Sequence, residues 1–237
     1  MRRGIERDPG APLERSGRSV ATVVPFVLPE TGASRCTLEV RWIAPGEVPE
    51  ALTRWLGPFG GGVERRSDRY FVAPSSAALG LKIKDDAVLD LKAFRGSRGT
   101  LSVPGIARGE LEAWEKWTFP LERSAVPPAA DTSWLTVRKV RRRRSFGVLG
   151  GVTEERPVGD ASLPGCSVEL TQIIVGGEPW WTLGFEATGS AGELGPALRA
   201  TVDEVLRSPL PAGVRLGARR SMSYPRWIDR HVLGSPD

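Results

Sequence analysis

Residues 80–92, Gly-Leu-Lys-Ile-Lys-Asp-Asp-Ala-Val-Leu-Asp-Leu-Lys, alternate apolar and charged side chains on both sides of a pair of aspartates. Successive residues of a strand point to opposite faces, so each half predicts a strand with one apolar and one charged face. Asp85 and Asp86 predict the hairpin turn that joins the two strands. The stretch therefore indicates an antiparallel sheet in which charge is confined to one face.

Comparable alternation recurs along most of the chain. It predicts strands at residues 36–42, 68–72, 80–84, 88–94, 110–121, 134–146, 167–175 and 180–188. Helices are predicted at residues 49–56, which begin with a proline, and within residues 190–207, where apolar residues recur with a helical period. About eight short strands with few helices predict a mainly β (α+β) domain, either a closed barrel or a sandwich.

The composition restricts the possible chemistry. The 237 residues include 33 Lys and Arg against 28 Asp and Glu, and the basic excess is concentrated in residues 134–146, which favours a phosphate-bearing partner. His231 is the single histidine, which argues against Ser–His–Asp triads and His-ligated metals. Cys36 and Cys166 fit neither a disulfide framework nor a zinc site, so both are expected to be reduced.

The chain divides by composition into a tail and a domain. Residues 1–33 show no sustained period and predict a flexible tail, residues 34–230 predict the β domain, and residues 231–237 predict a short C-terminal tail. No apolar run is long enough for a membrane span, and no apolar stretch follows Arg2 and Arg3 as in a signal peptide. A cytoplasmic protein is therefore predicted.

Charged residues share one face of several predicted strands. They have matching parity at Glu39 and Arg41, Lys82 and Lys84, Asp90 and Lys92, Glu110 and Glu112, Lys139, Arg141 and Arg143, and at Glu169 and Glu186. One interpretation places these charges on the solvated outer face of a sandwich. The other places them in the hydrated lumen of a barrel, where they need compensation because unpaired buried charge is costly. The alternation alone leaves both interpretations open.

The order of these segments resembles the CYTH family, named for class IV adenylate cyclases and thiamine triphosphatases. The resemblance covers roughly residues 35–229 and rests on Thr37-x-Glu39-x-Arg41, Asp68-Arg69-Tyr70-Phe71, Leu81-Lys82-Ile83-Lys84, Leu89-Asp90-Leu91-Lys92, Glu110 with Glu112, Lys139-Val140-Arg141, Phe185-Glu186 and the closing Ser223-Tyr224-Pro225-Arg226-Trp227-Ile228. It implies a closed antiparallel eight-stranded β-barrel tunnel with a few flanking helices. The implied ligand is a triphosphate-containing small molecule, namely inorganic triphosphate, thiamine triphosphate or a nucleoside triphosphate.

The resemblance also implies roles for individual residues. Phosphates would be held by Arg41, Lys82, Lys84, Lys92, Lys139, Arg141 and Arg143, of which Arg41, Lys82, Lys139 and Arg141 would be catalytic. Glu39, Glu169 and Glu186 would hold Mg²⁺ or Mn²⁺ for hydrolysis of the terminal phosphate. Thr37, Thr171 and Gly184 stand where the family has acids, so phosphate binding is better supported than catalysis.

Two further functions fit the same residues. A non-catalytic sensor of phosphoanions or nucleotides would keep the basic lumen after losing part of the metal site. A nucleic-acid-binding β domain would instead use Arg142 and Arg144, which the alternation places on the face opposite Arg141 and Arg143.

Overall fold

The computed structural model of the chain describes residues 34–57, 62–73, 77–159 and 164–234, so the predicted tail at residues 1–33 lies outside the described residues. The strands are β1 (Arg35–Pro45), β2 (Val63–Phe71), β3 (Leu79–Lys84), β4 (Val88–Val103), β5 (Ala107–Pro120), β6 (Trp134–Leu149), β7 (Val152–Arg156), β8 (Gly165–Val175) and β9 (Glu178–Thr188). The helices are α1 (Glu50–Leu56), α2 (Ala191–Val205) and α3 (Tyr224–His231), with 3₁₀ turns at Arg123–Ala125 and Ala218–Arg220.

Eight of these strands form a closed antiparallel barrel. The strand order is β2-β3-β4-β5-β1-β9-β8-β6, and β6 pairs with β2 to complete the ring. The strand β7 pairs with the far end of β6, outside the ring. The predicted barrel is therefore confirmed, with one additional strand.

The β3–β4 hairpin forms where the sequence predicts it. Lys84 pairs with Val88, and the turn between them places Asp85 at φ 46° and Asp86 at φ 51°. Aspartate tolerates this left-handed conformation better than most residues because its short side chain can hydrogen-bond the local backbone. Asp85 Oδ1 also accepts a hydrogen bond from the backbone N–H of Ser67 on the neighbouring strand β2 at 3.3 Å, which ties the turn to that strand.

The main apolar core lies outside the barrel. Outward-facing residues of β1, β8 and β9, among them Val40, Leu170 and Phe185, pack against the apolar face of α2 at Leu198 and Val202. A capping box formed by Ser190 and Glu193 begins that helix. Because the apolar positions of the alternation are used on the outer face, the charged positions of the same strands point into the barrel.

Several elements differ from the prediction. The strand β4 continues to Val103 through two register shifts, where Gly96 and Gly99 adopt positive φ and interrupt the alternation. The strand β2 begins at Val63, five residues earlier than predicted. The prediction missed its first half because that half is polar on both faces and shows no apolar alternation. The strand β7 and helix α3 were not predicted.

None of the described helices is long and apolar enough to cross a membrane. Cys36 and Cys166 are free thiols, the first exposed and the second buried.

Candidate functional site: a basic tunnel

The interior of the barrel contains a cavity of about 330 Å³, which we call the tunnel. Its described lining is polar and strongly basic. Eleven lining residues are basic, namely Arg35, Arg41, Arg66, Lys82, Lys84, Lys92, Lys116, Lys139, Arg141, Arg143 and Arg156, and four are acidic, namely Glu39, Asp90, Glu169 and Glu186. Asp68 and Glu64 also pair with cations of the lining. Basic residues still outnumber acidic ones when these two acids are included.

All ten residues that the sequence singles out for phosphate or metal binding line the tunnel. The alternation is also kept along β6, where Arg141 and Arg143 line the tunnel while Arg144 bonds Glu155 on the outside at 2.6 Å. Sequence reasoning missed Arg35, Arg66, Lys116 and Arg156. Lys116 shares the parity of Glu112 within the strand predicted at residues 110–121, so the alternation contained the signal for it, whereas Arg66 precedes the strand predicted at residues 68–72.

Two buried aspartates neutralise much of the positive charge on the β2–β5 side of the tunnel. Asp68 pairs with Lys139 at 2.8 Å, and Asp90 pairs with Lys84 at 3.1 Å and with Lys116 at 3.2 Å. Burial by itself would raise the pKa of both carboxyl groups. The surrounding lysines outweigh it and lower each pKa to about 2, so both aspartates are ionised at neutral pH.

Lys82 is the least compensated lysine of this group. Its Nζ lies 3.7 Å from Asp68 Oδ2 and 3.8 Å from Asp90 Oδ2, beyond hydrogen-bonding distance in both cases. Burial, followed by repulsion from Lys139, lowers the pKa of Lys82 to about 7. An anion that reached Lys82 would therefore find an amine ready to take up a proton and donate hydrogen bonds.

Two threonines support the acids that the resemblance assigns to metal binding. Thr37 donates to Glu39 Oε1 at 2.7 Å, and Thr171 donates to Glu169 Oε1 at 3.0 Å. Each threonine lies two residues before or after its glutamate, on the same face of the strand. These two positions, where the family has acids, are occupied here by hydrogen-bond donors to the remaining acids.

Gly184 gives space to a guanidinium group. A Cβ at this position would lie 2.9 Å from Arg41 Cζ, closer than such contacts allow. Arg41 Nη1 lies 3.2 Å from Glu169 Oε1 and donates to Thr182 Oγ1 at 3.0 Å. Gly184 is the third position at which the resemblance implies an acid. In the structure the guanidinium of Arg41 fills the space beside it.

The carboxylates do not form a metal-binding cluster. Glu39 is bonded by Lys92, and Glu169 is bonded by Arg41 and by Arg141, the latter at 2.9 Å. Among the described residues no group of three or more Asp, Glu, His and Cys is arranged to hold a metal ion. The residues present therefore do not fit the Mg²⁺ or Mn²⁺ site that the resemblance implies.

Lys139 is enclosed by aromatic rings and contributes to packing. Its Nζ donates to the hydroxyl of Tyr70 at 2.7 Å and lies 4.1 Å from the centre of the Tyr224 ring. Burial alone would lower the pKa of Lys139, but nearby Tyr224, Tyr70 and Asp68 raise it, so this lysine stays charged. Since the Nζ already contacts Asp68 and Tyr70, Lys139 has less capacity for a ligand than Lys82.

No protein-family model matches the chain, and no curated protein matches it.

Proposed function

We propose that the tunnel binds a triphosphate-type polyanion. The observation that supports this most directly is the excess of cations over acids inside an enclosed cavity. Mutual repulsion among enclosed cations is costly, and an anion carrying several charges would relieve it. Three phosphate groups supply the needed charge and many acceptor oxygens in a compact chain.

The cations differ in the capacity they have for a ligand. Lys84, Lys116 and Arg143 are partly exposed and each is compensated by a carboxylate shared with another cation. Arg141 Nε is buried and has no hydrogen-bond partner among the described residues. These groups, with Arg41, Lys82 and Lys92, are the phosphate ligands we propose.

Metal-dependent hydrolysis is less well supported than binding. Glu39 and Glu169, two of the three carboxylates that would hold Mg²⁺ or Mn²⁺, are already paired with Lys and Arg, so a metal would have to displace those cations. We therefore propose a phosphoanion-binding protein, whose ligand is inorganic triphosphate or a small molecule that carries a triphosphate group. Release of inorganic phosphate from tripolyphosphate with added Mg²⁺ or Mn²⁺ would favour the triphosphatase instead.

Titration calorimetry with inorganic tripolyphosphate in EDTA tests the proposal. We expect Arg143→Gln to weaken binding by about tenfold or more, since a hydrogen bond to a charged group contributes about 1.5–3 kcal/mol. The matched control is Arg138→Gln, which removes the same charge from an exposed position on the outer face of the same strand. We expect it to leave the affinity within about twofold.

Three results would contradict the proposal. The first is no binding of tripolyphosphate by the wild-type protein. The second is equal weakening by Arg143→Gln and Arg138→Gln, which would indicate attraction by net charge alone. The third is displacement of tripolyphosphate by a short oligonucleotide in the wild-type protein but not in Arg142→Gln. That result would favour the nucleic-acid-binding alternative.

A further inference from the structure

Three lysines gather around one carboxylate oxygen inside the tunnel. Asp90 on β4 accepts a hydrogen bond from Thr118 at its Oδ1, which leaves Oδ2 to the lysines. Lys84 Nζ lies 3.1 Å and Lys116 Nζ lies 3.2 Å from that Oδ2, whereas Lys82 Nζ lies 3.8 Å from it. Two of the three amines therefore pair closely with the carboxylate, and Lys82 is left outside hydrogen-bonding distance.

The surroundings of Lys82 disfavour its charged form. Its other carboxylate neighbour, Asp68 Oδ2, lies 3.7 Å away and is already paired with Lys139 at 2.8 Å. Arg66 adds a positive charge from β2, and the centre of the Tyr70 ring lies 5.8 Å from the Nζ. Burial, followed by repulsion from Lys139, lowers the pKa of Lys82 to about 7, so about half of its amine is neutral at neutral pH.

The amine of Lys82 is open to small molecules that enter the tunnel. The side chain is partly exposed, and it lines the cavity of about 330 Å³ together with Lys84 and Lys116. A neutral amine is a nucleophile and a protonated one is not, so desolvation beside other cations activates a lysine. The cluster thus holds one nucleophile beside two cations that can bind a phosphate group.

We propose that Lys82 is a site of acylation whose acyl donors are small acyl phosphates. The basic tunnel attracts the negative charge of the donor, and Lys84 and Lys116 hold its phosphate group so that the carbonyl carbon lies beside Lys82 Nζ. The nitrogen lone pair attacks that carbon and forms an amide bond, while the bond from the carbon to the phosphate oxygen breaks. The phosphate leaves with the electron pair of that bond and takes the proton that the nitrogen loses. The products are acyl-lysine and hydrogen phosphate, and no further reactant is needed.

Acylation of Lys82 would weaken the binding of an anion in the tunnel. The amide carries no charge, and the acyl group occupies space in the cavity. The acylation itself depends only on the lysine cluster, whereas this loss of affinity rests on the proposed function. The modification would therefore make polyanion binding depend on the supply of acyl phosphates.

The first test is acetylation of the wild-type protein by acetyl phosphate at neutral pH, with the rate at each lysine measured by peptide mass spectrometry. We expect Lys82 to react at least about tenfold faster than Lys84 and Lys116, because Asp90 pairs closely with those two amines and not with Lys82. The rate at Lys82 should rise from about pH 6 to about pH 8 and then level off, as its amine becomes fully neutral.

The second test asks whether the cluster holds the phosphate group, and it uses N-acetoxysuccinimide as an acetyl donor without phosphate. In Lys116→Gln we expect the ratio of the Lys82 rates with acetyl phosphate and with this uncharged donor to fall by about tenfold or more. The matched control is Arg138→Gln, which removes one positive charge from the outer face and should leave the ratio within about twofold. No fall in Lys116→Gln, or an equal fall in both variants, would overturn the placement of the donor by the cluster.

The outcomes separate this inference from the proposed function. Acetylation of Lys82 no faster than that of Lys84 and Lys116 would overturn the inference, even in a protein that binds tripolyphosphate. Selective acetylation of Lys82 in a protein that does not bind tripolyphosphate would support the inference and overturn the proposed function. If both are correct, tripolyphosphate should protect Lys82 from acetyl phosphate, and the acetylated protein should bind tripolyphosphate at least about tenfold more weakly. Acetylation that saturating tripolyphosphate does not slow would overturn the inference alone.

Discussion

At the scale of single residues, the tunnel is built from charges that share their partners. Asp68 faces Lys139, Lys82 and Arg66, and Asp90 faces Lys84, Lys116 and Lys82. Each aspartate therefore neutralises several cations only in part. Among the cations around the two aspartates, Lys82 lies farthest from its carboxylate partners. It is therefore the residue whose protonation an entering anion would change most.

Lys82 leads to a prediction about pH. Its pKa of about 7 means that it is charged below neutrality and loses its charge as the pH rises. We expect the affinity for sulfate, whose own charge is constant over this range, to fall by about tenfold between pH 6 and pH 8. Lys82 faces Asp68, Asp90, Lys139, Arg66 and the ring of Tyr70. Of these, Asp68, Asp90, Lys139 and Tyr70 do not change charge in this interval.

The matched variants are Lys82→Arg and Lys84→Arg, and the measurement is sulfate titration calorimetry at several pH values. Arginine stays charged throughout, so Lys82→Arg should bind sulfate with little dependence on pH. Lys84→Arg should keep the wild-type dependence. An unchanged decline in Lys82→Arg would show that another group is responsible.

At the scale of elements, stability and ligand binding depend on different faces of the same strands. The helix α2 buries the outward side chains of β1, β8 and β9, while the inward side chains form the tunnel. The two faces are separated by the thickness of one sheet. A change in the outer core should therefore alter the free energy of unfolding without altering the tunnel.

Leu198→Ala tests this separation. Leu198 is 2% exposed in the core between α2 and the sheet, so its truncation should lower the free energy of unfolding by about 2–5 kcal/mol. We expect the dissociation constant for tripolyphosphate to stay within about twofold under conditions where the variant is folded. Arg199→Ala, at the next and exposed position, should change stability by about 0.5 kcal/mol or less. A large loss of affinity in Leu198→Ala would mean that the two faces are coupled.

At the scale of the whole molecule, the enclosed ion pairs make stability depend on acid pH. The pKa values of Asp68 and Asp90 are about 2 in the folded chain, below their ordinary value of 3.8. A depressed carboxyl pKa stabilises the fold above the unfolded-state value, and this contribution is lost as the pH falls through the folded-state value. We expect each aspartate to contribute about 2 kcal/mol that disappears between about pH 4 and pH 2.

Urea denaturation at pH 6, 4, 3 and 2 measures this loss, in wild type, Asp90→Asn and Asp203→Asn. Asp90→Asn should be less stable at pH 6 but lose less on acidification, because one of the carboxyl groups with a lowered pKa is absent. Asp203→Asn, at an exposed position of α2, should follow the wild-type curve. Equal acid sensitivity of all three proteins would contradict the assignment.

The extent to which the site was predictable follows from the regularity of the strands. The inward direction of Lys82, Lys84, Lys139 and Arg141 follows from alternation once closure of the barrel is known. Arg156 and the second half of β4 were not predictable in this way, because bulges and a short additional strand interrupt the period. Helix α3 was missed because its eight residues make only about two turns and its partners are distant in sequence.

The sequence by itself determined the β architecture and the segregation of charge to one face of each strand, because side-chain direction in a strand follows from local geometry alone. Only the tertiary structure decided that the charged face lies inside the barrel, since that requires β6 to pair with β2 across a long sequence separation. It also decided which charges are paired. Glu39 and Glu169 are separate candidates for a metal in the sequence, but in the folded chain they meet Lys92, Arg41 and Arg141, because strand register and barrel closure bring these cations to them.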